Sequence, residues 1–198
     1  AVRLTFAGID ALRQQVREDV RIHAIITDGG AAANIIPETA AMNVIARAMD
    51  GVYLFDDLVP RLEDIFRGAA LMTGTEVQFV PSAAPYLEIV SNAPLEEAFT
   101  RHATRRGRTV TPYDMNDGTG STDMGNVSQA VPGLHGMLDI DDVALPHTEA
   151  FEVAAASPRG DATVIDGAAV LAGIAAELFL DADLLARAKA AFVEATGR

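Results

Sequence analysis

Two short β-branched segments lie between two helical segments early in the chain, and this order constrains the fold more than any other feature. Residues 1–17 place apolar side chains at spacings of three and four, which predicts a helix. Residues 21–27 (RIHAIIT) predict a strand because β-branched residues favour extended backbone. Residues 39–48 predict a second strand. Pro37 precedes it, a position that suits proline because proline has no N–H to donate to a ladder.

The next segment predicts a second helix. Asp56 or Asp57 is a suitable cap, an apolar stripe continues to about Met72, and Gly74 ends the helix. Further strands are predicted at 76–80 and 86–90.

The order helix, strand, strand, helix, strand becomes βαββαβ when one strand is added in front. That arrangement is a ferredoxin-like sandwich with helices on one face of the sheet. Without the added strand the sheet has a gap or an unprotected edge. The sequence therefore predicts an α+β domain over residues 1–92 that lacks its first strand, and a boundary near 91–94.

Residues 93–198 predict mainly helices, with one buried strand at 133–140. Five helices are predicted, at about Pro94 to Arg106, 123–130, 149–156, Asp161 to about Leu180, and 183–195. Thr148 is the predicted cap of the third helix and Asp161 that of the fourth. This mixture predicts an α/β layer with too few strands for a closed sheet.

Composition excludes several functions. The net charge of -13 disfavours nucleic acid as a partner, because binding phosphates requires clustered Lys and Arg. The one basic cluster, residues 101–108, is interpreted as a solvated helix end. No Cys is present, so thiolate metal sites are excluded, and a reducing cytoplasm is the expected compartment. No apolar run approaches the roughly 20 residues of a membrane span, so no membrane contact is expected.

The segment from Gly118 to Asn126 (GTGSTDMGN) is the densest polar cluster. Small residues let backbone amides approach an anion at the start of a helix, so an anion-binding turn is one interpretation. A simple capped loop is the other, and the sequence leaves both open. The Lys of a nucleotide phosphate loop is missing.

Four histidines are present. His147 lies at a predicted strand-to-helix junction, where it is either a metal ligand or a structural residue. His23 lies in a predicted strand from which it could reach a facing cleft. His102 is expected to be exposed on its helix, and His135 to lie in the core or at its rim.

Two more polar residues allow two interpretations each. Arg47 ends an apolar strand, either as a rim residue whose stem covers the sheet or as a bidentate clamp for a carboxylate. Asn34 either stabilises its loop or points its amide at substrate. Asp139, Asp141 and Asp142 lack the spacing of a calcium loop and predict a solvated turn.

Four segments in order resemble the zinc aminoacylase and glutamate-carboxypeptidase superfamily of metallopeptidases, most closely its aminobenzoyl-glutamate hydrolase-like amidohydrolases. They are IHAIITDGGAAANIIPETA (22–40), RGAALMTGTEV (67–77), GSTDMGNVSQAVPGLH (120–135) and PHTEAFEVAAASPRGD (146–161). Such enzymes have a two-metal catalytic domain and an inserted lid that often mediates dimerisation. The resemblance implies that residues 1–92 are an incomplete lid and residues 93–198 the C-terminal part of an α/β catalytic domain.

The resemblance also implies roles for individual residues. His147 matches the last metal ligand, while Asn34 and Arg47 match lid positions that hold the substrate carboxylate. His23 matches a lid position near substrate whose role is unassigned. The small-residue turn near the metal site is matched by Ser121, Thr122 and Asp123.

The sequence lacks recognisable counterparts of most of the family's metal ligands and of its general base. The family's His-x-Asp motif, bridging Asp and adjacent Glu pair are not recognisable here. A catalytic zinc needs about three protein ligands. Two zinc ions are therefore implied for the complete enzyme but are not expected to be fully bound by this chain, which is predicted to be inactive alone.

Two functions from different classes follow. The first is a C-terminal fragment of a metal-dependent amidohydrolase that cleaves N-acyl amino acids or aminobenzoyl-glutamate-like substrates, small amides with a carboxylate, as a homodimer formed through the lid. The alternative is a non-catalytic dimerisation or association module. Anion binding by the Gly118–Asn126 turn is a third possibility.

Overall fold

The computed structural model describes residues 1–111 and 120–197 of the chain. The chain divides into two compact units, Ala1–Glu88 and Ile89–Arg198.

The first unit combines helices with one β-hairpin. Its elements are α1 (Val2–Leu12), a 3-10 turn (Arg13–Gln15), β1 (Arg21–Asp28), β2 (Ala41–Arg47), α2 (Gly51–Tyr53), a π turn (Leu54–Leu58) and α3 (Val59–Thr73). The predicted first helix and the two predicted strands are confirmed. Gly74 ends α3 in the left-handed conformation at φ 65°, as predicted.

The strands β1 and β2 pair antiparallel, with Arg21 opposite Arg47 and Asp28 opposite Ala41. Side chains alternate between the two faces of a strand. The inner face packs on the helices, and it carries Ile22, Ala24, Met42, Val44 and Ala46. The outer face of the hairpin is left exposed, and it carries the polar residues considered below.

The second helix begins earlier than predicted. Asp50 is its cap and accepts a hydrogen bond from the Tyr53 amide at 3.0 Å, whereas Asp56 and Asp57 lie within the π turn. Pro60 has no N–H and its ring displaces a carbonyl one turn earlier, which accounts for a widened turn before it. The predicted cap at Asp56 or Asp57 is therefore wrong.

The predicted strands at 76–80 and 86–90 are wrong, because neither segment joins a ladder. Phe79 packs instead edge-on against Phe66, with ring centroids 5.7 Å apart, and the Arg67 guanidinium lies over the Phe79 ring. Alternation alone does not make a strand, because the segment must also lie along β1 or β2 to form ladder hydrogen bonds. Within the described residues β1 and β2 form a two-stranded sheet, so the ferredoxin-like assignment stays a prediction.

The second unit is helical where it is described. Its elements are α4 (Ala93–Arg105), α5 (Met124–Ala130), α6 (Glu149–Ala155), α7 (Pro158–Leu180) and α8 (Ala182–Thr196). All five predicted helices are present. The cap of α7 is Ser157, whose Oγ accepts the Gly160 amide at 3.1 Å, so the predicted cap Asp161 is wrong. Pro158 suits the first turn because its missing N–H is not needed there.

The predicted strand at 133–140 is also wrong, since this segment has no regular structure. Leu134 and Leu138 nevertheless pack on the core between α4 and α7. Gly136 lies so close to the Phe99 ring that a side chain there would collide with it. The apolar residues that suggested a strand thus serve the core individually.

The basic cluster at 101–108 is a largely exposed helix end, as predicted, and it also joins α4 and the residues after it to α7. Arg106 and Arg108 donate through their Nε atoms to Asp166 at 2.8 and 2.9 Å. Arg101 donates to Glu177 at 2.6 Å, and His102 Nε2 lies 2.8 Å from the same carboxylate. Only 16% of the His102 side chain is exposed, so its predicted exposure is wrong.

The apolar length of α7 corrects the prediction that no apolar run approaches the length of a membrane span. Among the described residues α7 is a 23-residue helix with mean hydropathy 1.8 over its most apolar window, long and apolar enough to cross a membrane. One such helix is weak support for a membrane span, because core helices pass the same test.

The core of the first unit predicts a large cost for truncating Leu58, which is fully buried among Ile9, Leu12 and Leu62. We expect Leu58→Ala to lower the free energy of unfolding by about 2–5 kcal/mol, because lost burial and a cavity add together. Urea unfolding followed by circular dichroism measures the change. Leu71→Ala, at an 84% exposed position of α3, is the control and should change stability by no more than about 0.5 kcal/mol.

The contacts of Asp166 predict how stability depends on pH. Hydrogen bonds from Arg106 and then Arg108 hold the pKa of Asp166 below its ordinary value. A lowered carboxyl pKa stabilises the fold above the ordinary value and loses that contribution as pH falls through the folded value. We expect Asp166→Asn to lower the urea midpoint at pH 7 and to flatten its decrease in acid. An equal loss at pH 7 and pH 3 would contradict this origin.

Candidate functional site

The hairpin brings two of the predicted site residues onto one face. His23 of β1 lies opposite Ile45, and Arg47 lies two residues further along β2, so His23 and Arg47 are diagonal neighbours on the exposed face. Diagonal neighbours of this kind are about 7–8 Å apart. One ligand of small-molecule size can therefore contact both side chains.

The Arg47 guanidinium has no hydrogen bond or ion pair with any described residue. Arg21, directly opposite, is turned aside and donates to the carbonyls of Glu18 and Val20 at 2.7 and 2.8 Å. Like charges opposite each other in a sheet are unfavourable, so an anion between them would stabilise this end of the hairpin. The geometry thus suits Arg47 to binding a carboxylate, and its stem also covers the edge of the sheet.

Asn34 lies in the exposed loop that joins β1 to β2, residues 29–40. The Asp28 carboxylate accepts the Gly30 amide at 3.1 Å, and the Ile35 amide donates to the Ala32 carbonyl at 3.1 Å. These bonds shape the two ends of a turn around Asn34. No hydrogen bond joins the Asn34 amide to a described residue, so the structure does not bring Asn34 to His23 and Arg47.

A cleft of about 280 Å³ lies beside His23 and is rich in arginine. Arg13 is paired with Asp10 at 2.6 Å and donates to the Ile22 carbonyl. Arg17 is paired with Asp50 at 2.8 Å and lies over the Tyr53 ring, contacts that raise the Arg17 pKa. Because these arginines already have partners, the cleft is a weaker anion site than the face that carries Arg47.

The predicted small-residue turn lies before α5. The Thr122 hydroxyl accepts the Met124 amide at 3.3 Å, while Asp123 at the cap position makes no capping bond with its side chain. Ser121 and Thr122 are exposed or half-buried, and residues 118 and 119 of the same polar cluster lie outside the described residues. The capped-loop interpretation thus has one hydrogen bond in its favour.

Ser128 of α5 is a residue that the sequence did not single out. It is buried, its hydroxyl donates to the Gly125 carbonyl at 2.8 Å, and it accepts the Val90 amide at 2.9 Å. It therefore fixes α5 to the start of the second unit. A serine inside a short polar helix carries no sequence signal for such a contact.

His147 is exposed and has φ 66°, the only positive φ among the described non-glycine residues. Such a conformation is uncommon and often marks a functional residue. The next residue, Thr148, caps α6 by accepting the Phe151 amide at 3.2 Å and donates to the Leu145 carbonyl at 2.7 Å. An irregular turn precedes His147, so the predicted strand-to-helix junction is wrong on its strand side.

The acidic residues before His147 lie in an exposed turn, as predicted, and Arg159 binds two of them. The Arg159 guanidinium binds Asp139 and also Asp142 at 2.8 Å. Asp141 accepts the amides of Val143 and Ala144, both at 2.8 Å, and these bonds lower the pKa of Asp141. The segment that leads to His147 is therefore fastened to the first turn of α7.

The residues present do not form a metal site by themselves. No group of three or more His, Asp or Glu side chains that could hold a metal ion occurs within 1–111 and 120–197. The donor set that a two-zinc centre requires is not assembled by these residues.

No family model matches the chain. It is 35% identical over 187 residues to the Xaa-Arg dipeptidase of Mus musculus, a match that covers 93% of this chain and 43% of that protein. It is 34% identical to the Xaa-Arg dipeptidase of Homo sapiens over the same number of residues and with the same coverage. The chain thus spans less than half the length of these relatives.

These relatives support a metallopeptidase superfamily for this chain and, in general terms, a peptidase or amidohydrolase function. They also suggest a metal cofactor without identifying the metal. They do not support the aminobenzoyl-glutamate subgroup in particular, and the predicted substrates are not among those their names describe.

The ion pairs of Arg159 with Asp139 and Asp142, called the Arg159 clasp below, predict local order before His147. We expect Arg159→Gln to speed amide hydrogen exchange over residues 139–147 about two- to fivefold, the change that exposed ion pairs support. The matched control is Arg187→Gln, which removes an arginine that also has two acidic partners, Asp183 and Glu97. Hydrogen-exchange mass spectrometry should show no change over 139–147 in the control, and equal effects in both variants would contradict the clasp.

Proposed function

We propose that this chain is part of a metallopeptidase that hydrolyses an amide bond adjacent to a free carboxylate in a small-molecule substrate. The observation that carries the proposal is the Arg47 guanidinium, which lies beside His23 on the hairpin and has no partner among the described residues, in a chain similar to two dipeptidases. Dipeptides, N-acyl amino acids and aminobenzoyl-glutamate all end in a carboxylate next to the amide. A planar guanidinium binds a carboxylate through two parallel hydrogen bonds.

In this proposal Arg47 clamps the substrate carboxylate, and Asn34, whose loop lies at the other end of the hairpin from Arg47, donates a hydrogen bond from the neighbouring subunit of the proposed homodimer. His23 lies one diagonal position from Arg47, within reach of the amide of a substrate held there. The turn at Ser121, Thr122 and Asp123 binds another part of the substrate, near the proposed metal site. These roles concern binding and orientation, which lower the entropy cost of reaction.

The charge of the chain favours one substrate class over another. A net charge of -13 attracts a substrate with a cationic side chain and repels one with additional carboxylates. Dipeptides of the Xaa-Arg kind, named for the relatives, therefore suit this chain better than aminobenzoyl-glutamate. N-acyl amino acids are intermediate because they carry the single carboxylate alone.

Zinc is the metal we propose for the complete enzyme, as a pair of ions. His147 is the one ligand proposed from this chain, and the residues described here do not supply the rest. The remaining ligands and the general base would come from other polypeptide of the same enzyme. A bound zinc ion supplies a Lewis acid and an activated water.

A homodimer through the first unit is part of the same proposal. The outer edges of β1 and β2 have no partner strand among the described residues, and an unpaired strand edge readily accepts another strand. The same edges favour the alternative function, a non-catalytic association module. The two functions differ in whether the complete protein hydrolyses a substrate.

The test uses protein expressed from the complete reading frame and loaded with zinc. We expect release of the C-terminal residue from a Xaa-Arg dipeptide, slower release from an N-acyl amino acid, and the slowest from aminobenzoyl-glutamate. Release of the amino acid is measured by liquid chromatography. No turnover of any of the three by dimeric, zinc-loaded protein would favour the association module.

Removing the clamp tests the role of Arg47. We expect Arg47→Ala to raise KM for the preferred substrate about ten- to hundredfold, the loss of a charged hydrogen-bonded pair, and Arg47→Lys to restore part of it. A substrate whose carboxylate is replaced by a carboxamide should show little difference between wild type and variant. Arg3→Ala, at an exposed arginine of α1, is the control. An unchanged KM in Arg47→Ala would remove the clamp from the proposal.

A further inference from the structure

Arg21 and Arg47 lie directly opposite each other in the hairpin, and both are exposed. The Cβ atoms of directly opposite residues are about 4.5–5.5 Å apart, a separation at which like charges are unfavourable. Most other arginines in the described part of the chain have an acidic partner, as Arg17 has in Asp50. Arg21 and Arg47 have none there, although acidic residues outnumber basic ones by 28 to 15 in the sequence.

Arg21 already uses part of its hydrogen-bonding capacity. Its Nη1 atom donates to the carbonyls of Glu18 and Val20 at 2.7 and 2.8 Å. The contact with Glu18 is to the backbone carbonyl and not to the carboxylate, so it leaves the charge of Arg21 without a counter-ion. A guanidinium has five N–H donors. Arg21 can therefore bind a ligand through its other nitrogens while these two bonds persist.

The same end of the hairpin provides a further donor and a recess. His23 lies two residues after Arg21 on the same face and is the diagonal neighbour of Arg47. Arg21 and His23 both line the cleft of about 280 Å³. The cleft residues Arg13 and Arg17 are held by acidic partners. A ligand at this end of the hairpin thus meets two available guanidinium groups, one imidazole and an adjoining cavity.

We propose that Arg21 and Arg47 together bind a phosphate dianion, with His23 as a further donor. A carboxylate has two oxygens in one plane, which one guanidinium fork satisfies. A phosphate group has at least three strong acceptor oxygens in a tetrahedral arrangement, enough for two forks. The site differs from the carboxylate clamp because it requires Arg21 and a ligand with two negative charges. Its ligand is either free phosphate or the phosphate of a small monoester.

The acidic surroundings weaken the site without abolishing it. At physiological ionic strength charges more than about 8 Å away are largely screened, so the net charge of -13 matters less than the adjacent arginines. Asp50 is paired with Arg17, and Asp19 accepts the Met49 amide at 2.8 Å. Glu18 also lines the cleft and repels an anion there. Glu18→Gln should therefore strengthen phosphate binding, by up to about fivefold.

Phosphate at this site competes with a substrate carboxylate, because Arg47 cannot hold both. This consequence rests on the proposed function, whereas binding of phosphate to the hairpin does not. Inorganic phosphate then acts as a competitive inhibitor of the complete enzyme.

Isothermal titration calorimetry of the zinc-free 198-residue chain with inorganic phosphate tests the site, at constant ionic strength set by chloride. Omitting zinc removes phosphate binding to the metal. We expect Arg21→Ala and Arg47→Ala each to weaken phosphate binding about ten- to hundredfold, the loss of a charged hydrogen-bonded pair. Arg21→Lys, which keeps the charge and loses the fork, should fall in between. Arg3→Ala changes the net charge equally and should leave the affinity unchanged.

A second titration with phenyl phosphate distinguishes the two sources of the ligand. Tighter binding of phenyl phosphate than of inorganic phosphate identifies a monoester whose organic part enters the cleft. Equal or weaker binding identifies free phosphate. Circular dichroism of each variant checks that its secondary structure is retained.

Three results overturn the proposal. The first is no phosphate-dependent heat in the wild-type chain, and the second is an unchanged affinity in Arg21→Ala. The third is an equal loss in Arg3→Ala, which would show that net charge alone attracts the anion.

The complete enzyme separates this inference from the proposed function. There Arg21→Ala should raise the inhibition constant for phosphate by a larger factor than it raises KM. Phosphate binding to the hairpin without amide hydrolysis by the complete protein supports the phosphate site and contradicts the proposed function. Hydrolysis without phosphate binding to the hairpin does the reverse.

Discussion

The second unit depends on ion pairs between one helix and the basic residues at the end of another. Asp166 and Glu177 lie on the inward side of α7, where arginines neutralise them. At the Arg108–Asp166 pair both side chains are at most 14% exposed, so a missing partner would leave a charge poorly solvated. Once these pairs form, the rotation of α7 about its axis is fixed: Val170 and Ile174 enter the core beside the pairs, and the remaining apolar side chains point to solvent. The exposed face is thus a consequence of the paired one.

Local sequence signals predict the elements whose cause is local. Helical periodicity locates α1, α3 and α4 because the face that packs is written into each segment. Gly74 ends its helix by a conformation that glycine adopts cheaply. The segment 76–80 fails as a strand because a strand needs a neighbour, and alternation within one segment cannot supply it. The arginine pairs of α7 lie 58 to 76 positions away in sequence, which hides them from any local pattern.

In the candidate site, too, local sequence identifies single residues, whereas their arrangement depends on contacts between distant parts of the chain. That His23 and Arg47 share a face depends on the register of β1 against β2, which the long connection between them leaves free in the sequence. The sequence singled out both residues without relating them. The Arg159 clasp was missed because its acidic partners have the composition of a solvated turn. His147 was identified by its position in a motif, and its positive φ is an independent sign of constraint.

Two features of the second unit share one stretch of sequence. The described residues contribute one candidate metal ligand, although the relatives suggest a metal enzyme. The same second unit leaves a long apolar face of α7 in water, at a cost of about 25 cal/mol for each Å² of apolar surface left exposed. A protein layer packed on that face would recover this free energy whether or not it carried ligands. His147 precedes α6, and α6 is followed directly by α7, so the candidate ligand and the exposed face of α7 lie in one continuous stretch of the second unit.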